Sequence, residues 1–236
     1  MQPTYLPWMG YFGMIDIADT FVFYDDVQFE RQSWQQRNKI KSPQGEMWLP
    51  VHIIHNFGQK INEVKINQTA SWKKDHWQSI YQSYAKAPYF KYYQNEIEKI
   101  YQADWQYMVE LNIHIIRELS QIMGIRIPNF IKSSGLKDIT GQKTDRLFTV
   151  LEQIGADEYI TSPGTKDYLE VYKFREKGIK LYWYEFKHPI YPQIRGDFVP
   201  YLSVIDLLFN TGKEAIDYIR QGTKDALRLD ESFRKD

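Results

Sequence analysis

The chain has 236 residues, an apolar fraction of 43% and no formal net charge, because 30 Lys and Arg residues balance 30 Asp and Glu residues. This length predicts one large domain, and the balanced charge argues against nucleic acid or an anionic membrane as a partner. The sequence contains no Cys, which excludes disulfides, thiolate nucleophiles and Cys-based metal sites.

The compartment can also be predicted from the sequence. No apolar run approaches the roughly 18 residues that a membrane span requires. The N-terminus lacks the charged and then apolar pattern of a secretory signal. The sequence therefore predicts a cytoplasmic protein without a membrane span.

The first forty residues combine a stiff aromatic loop, a helix and a strand that ends in two acids. Pro3 and Pro7 fix the backbone of the loop, and Gly10 permits a turn or a close backbone approach. Apolar spacing predicts a short helix over 10–18, and residues 21–24 are predicted to be a buried strand. The loop and the start of the helix carry four aromatic residues: Tyr5, Trp8, Tyr11 and Phe12.

The next part of the chain is predicted to contain two strands and then three helices. Residues 29–44 are a polar segment, followed by strands over 47–54 and 61–66 that the turn 56–59 could join as a hairpin. Apolar residues at spacings of three and four then predict helices over 72–84, about 90–101 and 105–123. We interpret the block of about 72–125 as a helical insertion.

The last part of the chain alternates strands and helices. Strands are predicted over 130–131, 158–161 and 179–186, and helices over 145–154, 167–177, 201–210 and 213–220, with Thr144 as the N-cap of the first of these helices. This alternation predicts an α/β fold with a mainly parallel, doubly wound (Rossmann-like) sheet. Residues 1–221 would form one domain with the helical insertion, and 222–236 a charged, frayed tail.

Ligands of doubly wound sheets bind at the carboxyl ends of the strands, where the predicted fold places Asp25, Asp26 and Ser162. Only one of the adjacent acids can face a given pocket, because neighbouring side chains on a strand point to opposite faces. That acid could serve as a general base, bind sugar hydroxyls or an amine, or hold Mg²⁺ with substrate phosphates. The alternative is a turn acid and a helix cap.

His188 follows the last predicted strand and is the strongest candidate for a general base, since His titrates near neutral pH. The alternative is a loop His whose nitrogens are bonded to the backbone. No two His residues have the sequence context of a metal site, so no structural zinc is predicted. Arg37 and Asn38 could bind phosphate and donate a directional hydrogen bond, or simply belong to a solvated basic loop.

The segment Gln2-Pro3-x-Tyr5-Leu6-Pro7-Trp8-x-Gly10-Tyr11-Phe12, together with the block 21–28 and Arg37-Asn38, resembles the WbqC-like family of bacteria. Further matching blocks extend to 202–212, so the resemblance covers nearly the whole chain. The family is associated with surface-polysaccharide gene clusters, and its members have been proposed to attach glycine or another acyl group to an amino sugar. Its members usually carry a short apolar strand and a His just before Gln2, which this chain, starting at Met1, is expected to lack.

The resemblance implies a transferase that acylates the amine of a nucleotide-linked amino sugar in O-antigen biosynthesis. The cofactor considered is a nucleotide with Mg²⁺, and the partners are the sugar nucleotide and an acyl donor. One alternative is a non-catalytic nucleotide- or sugar-binding protein. Another is an adenylating enzyme similar to nucleotidylyltransferases, which carry a His-x-Gly-His loop. In this chain Gly10 would match the Gly of that loop, but Trp8 and Tyr11 occupy its two His positions. The predicted catalytic residues are Asp25, Asp26 and His188, and the predicted substrate-binding residues are Gln2, Tyr5, Trp8, Gly10, Tyr11, Gln28, Arg37, Asn38, Ser162 and Tyr168.

Overall fold

α-Helices and short strands alternate along the computed structural model, which describes residues 1–233. The α-helices are α1 (Met9–Ile17), α2 (Trp72–Tyr84), α3 (Phe90–Gln102), α4 (Met108–Ile122), α5 (Lys143–Gln153), α6 (Val171–Glu176), α7 (Val204–Thr211) and α8 (Ala215–Thr223). The strands are β1 (Thr20–Phe23), β2 (Arg37–Ser42), β3 (Gly45–Pro50), β4 (Ile53–Ile54), β5 (Lys65–Ile66), β6 (Asn129–Lys132), β7 (Glu158–Thr161), β8 (Lys180–Tyr184) and β9 (Leu227–Leu229).

The strands form small sheets of mixed direction. β1 pairs in parallel with β6, and β7 pairs in parallel with β8. The pairs β2–β3 and β4–β5 are antiparallel, and β9 lies antiparallel to β8. The α/β class is therefore confirmed, but a doubly wound sheet is not, because no strand within residues 1–233 joins the pair β1–β6 to the pair β7–β8.

Met1 lies beside β1. Its amino group donates a hydrogen bond to the carbonyl oxygen of Val22 at 2.9 Å, and its own carbonyl accepts one from the amide of Tyr24 at 2.8 Å. This is the hydrogen-bond pattern of a strand neighbour, although it involves a single residue. The pairing anchors the start of the aromatic loop at the carboxyl end of β1.

Two hydrophobic clusters hold these elements together. The larger one contains buried residues of α1, β1, α7 and the three central helices, including Phe12, Phe23 and Ile115. The smaller one packs α5 and α6 on β8 through Phe148, Phe174 and Leu181, with few further buried residues. Tyr11, Met14 and Tyr184 of the larger cluster line the cleft described below, whereas no described residue of the smaller cluster does.

The predicted helices of the middle block are confirmed, since α2, α3 and α4 lie within two or three residues of their expected bounds. Each of these helices buries one apolar stripe, as for Leu111, Ile115 and Leu119 of α4. The division of the chain into one domain with an insertion stays a prediction. No α-helix of the described part of the chain combines the length and apolar character needed to cross a membrane.

Several local predictions were wrong. The second half of the polar segment 29–44 forms β2, whose inward positions include the polar Asn38, so the apolar alternation was hidden. Thr144 does not cap α5, which begins at Lys143; its hydroxyl instead accepts a hydrogen bond from the amide of Glu170 at 3.2 Å. Part of the expected frayed tail forms β9 on β8. Residues 234–236 of that tail lie outside the described residues.

Candidate functional site

A cleft of about 600 Å³ opens between Met1, which pairs with β1, and the residues that follow β7 and β8. Its lining is Met1, Trp8, Gly10, Tyr11, Met14, Ser162, Pro163, Tyr184, Glu185, Phe186, Lys187 and Tyr201. A smaller hollow of about 280 Å³ against α8 is lined by Glu214, Asp217, Tyr218 and Gln221, none of which is a predicted site residue. The larger cleft is the candidate site because four predicted residues meet there.

Trp8 is the central aromatic residue of this cleft. It is the N-cap residue of α1. Its ring packs edge-on against Phe186 at 5.2 Å and tilted against Tyr201 at 5.5 Å, both measured between ring centroids. A Cβ added to Gly10 would lie 2.3 Å from the Trp8 ring. Glycine at position 10 therefore allows the indole to fold over the first turn of α1, where it forms part of the cleft.

We expect Gly10→Ala to lower the free energy of unfolding by about 1–3 kcal/mol, the usual cost of overpacking a closely packed site. The new methyl group would overlap the Trp8 ring, although alanine itself favours the helix by up to about 1 kcal/mol. Urea denaturation of the wild type, Gly10→Ala, Trp8→Ala and the double variant measures the coupling.

In the Trp8→Ala background the overlap is gone, so Gly10→Ala is expected to be neutral or stabilising there. An equal loss of stability in both backgrounds would show that the indole does not lie over Gly10.

His188 lies behind Trp8, with the two rings stacked at 6.3 Å. Its Nδ1 is 2.9 Å from the carbonyl oxygen of Pro189, and its Nε2 accepts the amide of Tyr201 at 3.1 Å. An imidazole that accepts at Nε2 carries its proton on Nδ1, which donates to Pro189. The alternative interpretation of His188, in which the backbone satisfies both nitrogens, thus matches the geometry, and Nε2 can accept a proton only when the Tyr201 amide moves away.

Burial lowers the pKa of His188 below its ordinary value of 6.5, against the opposing effect of the hydrogen bond to Pro189. We therefore expect NMR titration of the ring nitrogens to show a midpoint below 6.5 and the Nδ1–H tautomer at pH 7. Because the unfolded chain binds the proton more readily, this residue lowers stability as pH falls through 6.5. A midpoint at or above 6.5 would contradict the geometry.

Asp25 and Asp26 lie at the carboxyl end of β1 but do not line the cleft. Asp25 is buried, and its carboxylate accepts hydrogen bonds from the amide of Ser134 at 2.9 Å and from its hydroxyl at 2.7 Å. It therefore fixes the turn that follows β6. Burial raises the pKa of Asp26, but hydrogen bonds from Ser133 and Arg146 outweigh it, and the pKa lies below its usual value.

Tyr5 and Asn38 lie in the core rather than at the cleft. The Tyr5 hydroxyl is bonded to His76 Nδ1 at 2.9 Å and to the Tyr101 hydroxyl at 2.8 Å. Burial lowers the pKa of His76 to about 4, so this ring is neutral. The Asn38 amide donates to the carbonyl of Leu6 at 2.7 Å, where the backbone takes the left-handed φ of 43°. Both residues hold the aromatic loop from below.

The other predicted residues lie apart from the cleft lining. Gln2 accepts a hydrogen bond from Gln35 at 2.8 Å. Gln28 is exposed, and so is Tyr168. Arg37 projects from β2 over the ring of Trp48. Of the predicted site residues, the structure brings together Trp8, Gly10, Tyr11 and Ser162 in the cleft and places His188 directly behind Trp8.

The sequence interpretation missed Phe186, Lys187 and Tyr201, which line the cleft. Phe186 and Lys187 directly precede His188, so the same strand end could have indicated them. Tyr201 was predicted to begin a helix, but its φ of 58° is left-handed and α7 begins later. Nothing in its sequence neighbourhood indicates that its amide would bind an imidazole.

A buried carboxylate supports the segment that carries Tyr201. Asp206 accepts hydrogen bonds from the hydroxyls of Tyr84 and Tyr191, each at 2.8 Å, and from the amide of Gln193 at 2.9 Å. Burial raises the pKa of Asp206, which these hydrogen bonds only partly oppose. Lys41 donates to Gln193 at 3.0 Å and completes the network.

Comparison with known proteins identifies the family. The WbqC-like protein family matches residues 2–218, so the chain belongs to that family. The uncharacterised protein Rv1507c of Mycobacterium tuberculosis is 34% identical over 224 residues, which are 93% of this chain and 96% of that protein. No solved structure matches the chain. The resemblance seen in the first forty residues is therefore confirmed.

Proposed function

We propose that the protein is a transferase that attaches an acyl group, such as glycyl or another aminoacyl group, to the amine of a nucleotide-linked amino sugar in surface-polysaccharide (O-antigen) biosynthesis. Membership of the WbqC-like family supports the proposal. The observation that carries it is the cleft in which the rings of Trp8, Phe186 and Tyr201 meet. Aromatic faces of this kind stack on sugar rings.

Charges at the cleft suit a substrate that is anionic at one end. Lys187 is exposed on the lining and forms no ion pair with any residue in the range 1–233. Its ammonium group can therefore bind a phosphate of the sugar nucleotide by donating hydrogen bonds to it. Glu185 is already paired with Arg228 at 2.7 Å. The Ser162 hydroxyl could bond to a sugar hydroxyl at the opposite wall.

In the proposed reaction the amine nitrogen attacks the acyl carbon of an activated donor, either a thioester or an acyl phosphate. The new C–N bond replaces the C–S or C–O bond, and the leaving group departs with the electron pair. The proton of the amine passes to a base, for which His188 Nε2 is the best candidate once the Tyr201 amide has moved. Asp26 is a weaker base, since its pKa is lowered.

A nucleotide with Mg²⁺ remains part of the proposal, with the ion held mainly by the phosphates. The carboxylates of Asp25 and Asp26 already accept hydrogen bonds from Ser133, Ser134 and Arg146. Within residues 1–233, no group of three or more His, Asp or Glu residues is arranged to hold one ion. The acid pair thus does not fit an open metal site, and no step of the reaction is assigned to a metal ion.

A non-catalytic sugar- or nucleotide-binding role is the second candidate. One observation favours it: the nitrogens of His188 and the carboxylates of Asp25 and Asp26 are all engaged by other groups. In that role the cleft would bind the same sugar nucleotide without transferring anything. An adenylating role would instead require turnover of ATP.

The test is incubation of the purified protein with amino-sugar nucleotides and thioester or acyl-phosphate donors, followed by mass spectrometry. A product heavier than the sugar nucleotide by one acyl group supports the transferase. Binding measured by calorimetry without product formation supports the second candidate. Release of pyrophosphate from ATP in the same mixtures would support adenylation.

A further inference from the structure

The hairpin of β2 and β3, together with Trp34 just before it, presents a second aromatic surface that shares no residue with the cleft lining. We call it the Trp–Arg surface; it consists of Trp34, Arg37, Lys39 and Trp48. The two indoles lie 5.4 Å apart and are 48% and 38% exposed. The Arg37 guanidinium carbon lies 4.2 Å from the centre of the Trp48 ring. Large exposed aromatic residues beside a cation are typical of binding surfaces.

Arg37 has polar groups that no neighbour satisfies. Across residues 1–233 its side chain donates no hydrogen bond and forms no salt bridge, and its Nε is buried without a partner. Lys39 differs, because it is paired with Glu46 at 2.5 Å. The surface therefore carries one uncompensated positive charge on a planar fork of donors, next to an exposed ring. Such a fork binds phosphate with two parallel hydrogen bonds.

We infer that the Trp–Arg surface binds a nucleoside diphosphate, with the base stacked on Trp34 and a phosphate on Arg37. Base stacking on aromatic side chains tolerates any base. A nucleic acid strand is a poorer fit, since it needs a track of several cations and the chain has no net charge. The inference rests on the proposed function only for identifying the diphosphate as part of the sugar nucleotide.

The surface adjoins the cleft through one residue. The amide of Ser203 donates to the carbonyl of Lys39 at 2.9 Å, and Ser203 also pairs with Trp8 in an antiparallel bridge. The buried backbone of Ser203 therefore connects the hairpin to the Trp8 side of the cleft. Arg37 was predicted to bind phosphate, and this inference assigns it a phosphate on a surface separate from the Trp8 cleft and from the phosphate proposed for Lys187.

Isothermal titration calorimetry with UDP and ADP tests the inference on the intact chain. We expect Arg37→Gln to weaken diphosphate binding by tenfold or more and Trp34→Ala by about tenfold, and uridine alone or pyrophosphate alone to bind more weakly than UDP. The matched control is Arg117→Gln, which removes an exposed Arg whose guanidinium lies 5.2 Å from the centre of the Phe130 ring. This variant should bind UDP as tightly as the wild type does. Thermal unfolding verifies that each variant is folded.

The inference is overturned if neither UDP nor ADP binds the wild type, or if folded Arg37→Gln binds UDP as the wild type does. The inference is also overturned if UDP binding is lost only in variants of the cleft, such as Trp8→Ala. Intact UDP binding that depends on Arg37 without any acyl transfer would instead contradict the proposed function and leave the Trp–Arg surface standing.

Discussion

Asp206→Ala is expected to lower the free energy of unfolding by about 3–5 kcal/mol, the range found when one partner of a buried charged network is removed. The substitution would leave the buried hydroxyls of Tyr84 and Tyr191 without the acceptor of their O–H groups, whereas the Gln193 amide would keep the carbonyl of Val199. Each unsatisfied buried group costs about 1–3 kcal/mol. Urea denaturation at pH 7 measures the loss.

The matched control is Asp157→Ala, because Asp157 is exposed and its side chain makes no hydrogen bond with the described residues. It should change stability by less than about 0.5 kcal/mol. The pH dependence gives a second test. Burial raises the pKa of Asp206 above 3.8, so the unfolded chain loses this proton more readily than the folded protein does. The free energy of unfolding of the wild type should therefore decline as pH rises above about 4. Asp206→Asn should lack that decline, and an identical decline in both proteins would contradict the assignment.

His188→Ala is expected to lower the rate of amide formation by a factor of about one hundred or more, the usual scale for loss of a general base. The fold should be retained, because His188 is only half-buried and bonded to backbone groups. The rate is measured by mass spectrometry of the acylated sugar nucleotide. The wild-type rate should be level above pH 6.5 and fall below it, because the pKa of His188 is lowered by burial.

The matched control is His52→Ala, since His52 is exposed and makes no side-chain hydrogen bond within residues 1–233. Asp26→Asn tests the competing base. If His188→Ala retains full activity and Asp26→Asn loses it, the proton is taken at the acid pair instead. If all these variants retain activity, neither residue is the base.

Sequence periodicity was sufficient to predict the helices that bury one apolar face. The helices α2, α3 and α4 were predicted because their apolar residues recur at helical spacing. The strand β2 was not, because Asn38 faces inward to bond the loop and interrupts the apolar alternation. By contrast, Ser162 was correctly expected at the ligand site, because its position directly after a strand is a local property of the sequence.

Residues that act through distant partners could not be predicted. The bond from the Tyr201 amide to His188 joins positions 13 apart in the chain, and that from Tyr84 to Asp206 joins positions 122 apart. The acids Asp25 and Asp26 were predicted to be reactive, but Ser133, Ser134 and Arg146 engage them from more than one hundred residues away. Such contacts depend on tertiary packing, which a local pattern does not report.

The two hydrophobic clusters differ in size, and this difference has a consequence for how the cleft opens. The smaller cluster, around Phe148, Phe174 and Leu181, packs against Tyr159 of β7, the strand that leads into Ser162 and Pro163 at the cleft wall. Regions with few buried apolar contacts open at a lower free energy than the global transition. Amide hydrogens of α5, α6 and β7 should therefore exchange with deuterium sooner than those of α4. A substrate would then enter by loosening of this wall, while the Trp8 side of the cleft stays fixed on the larger core.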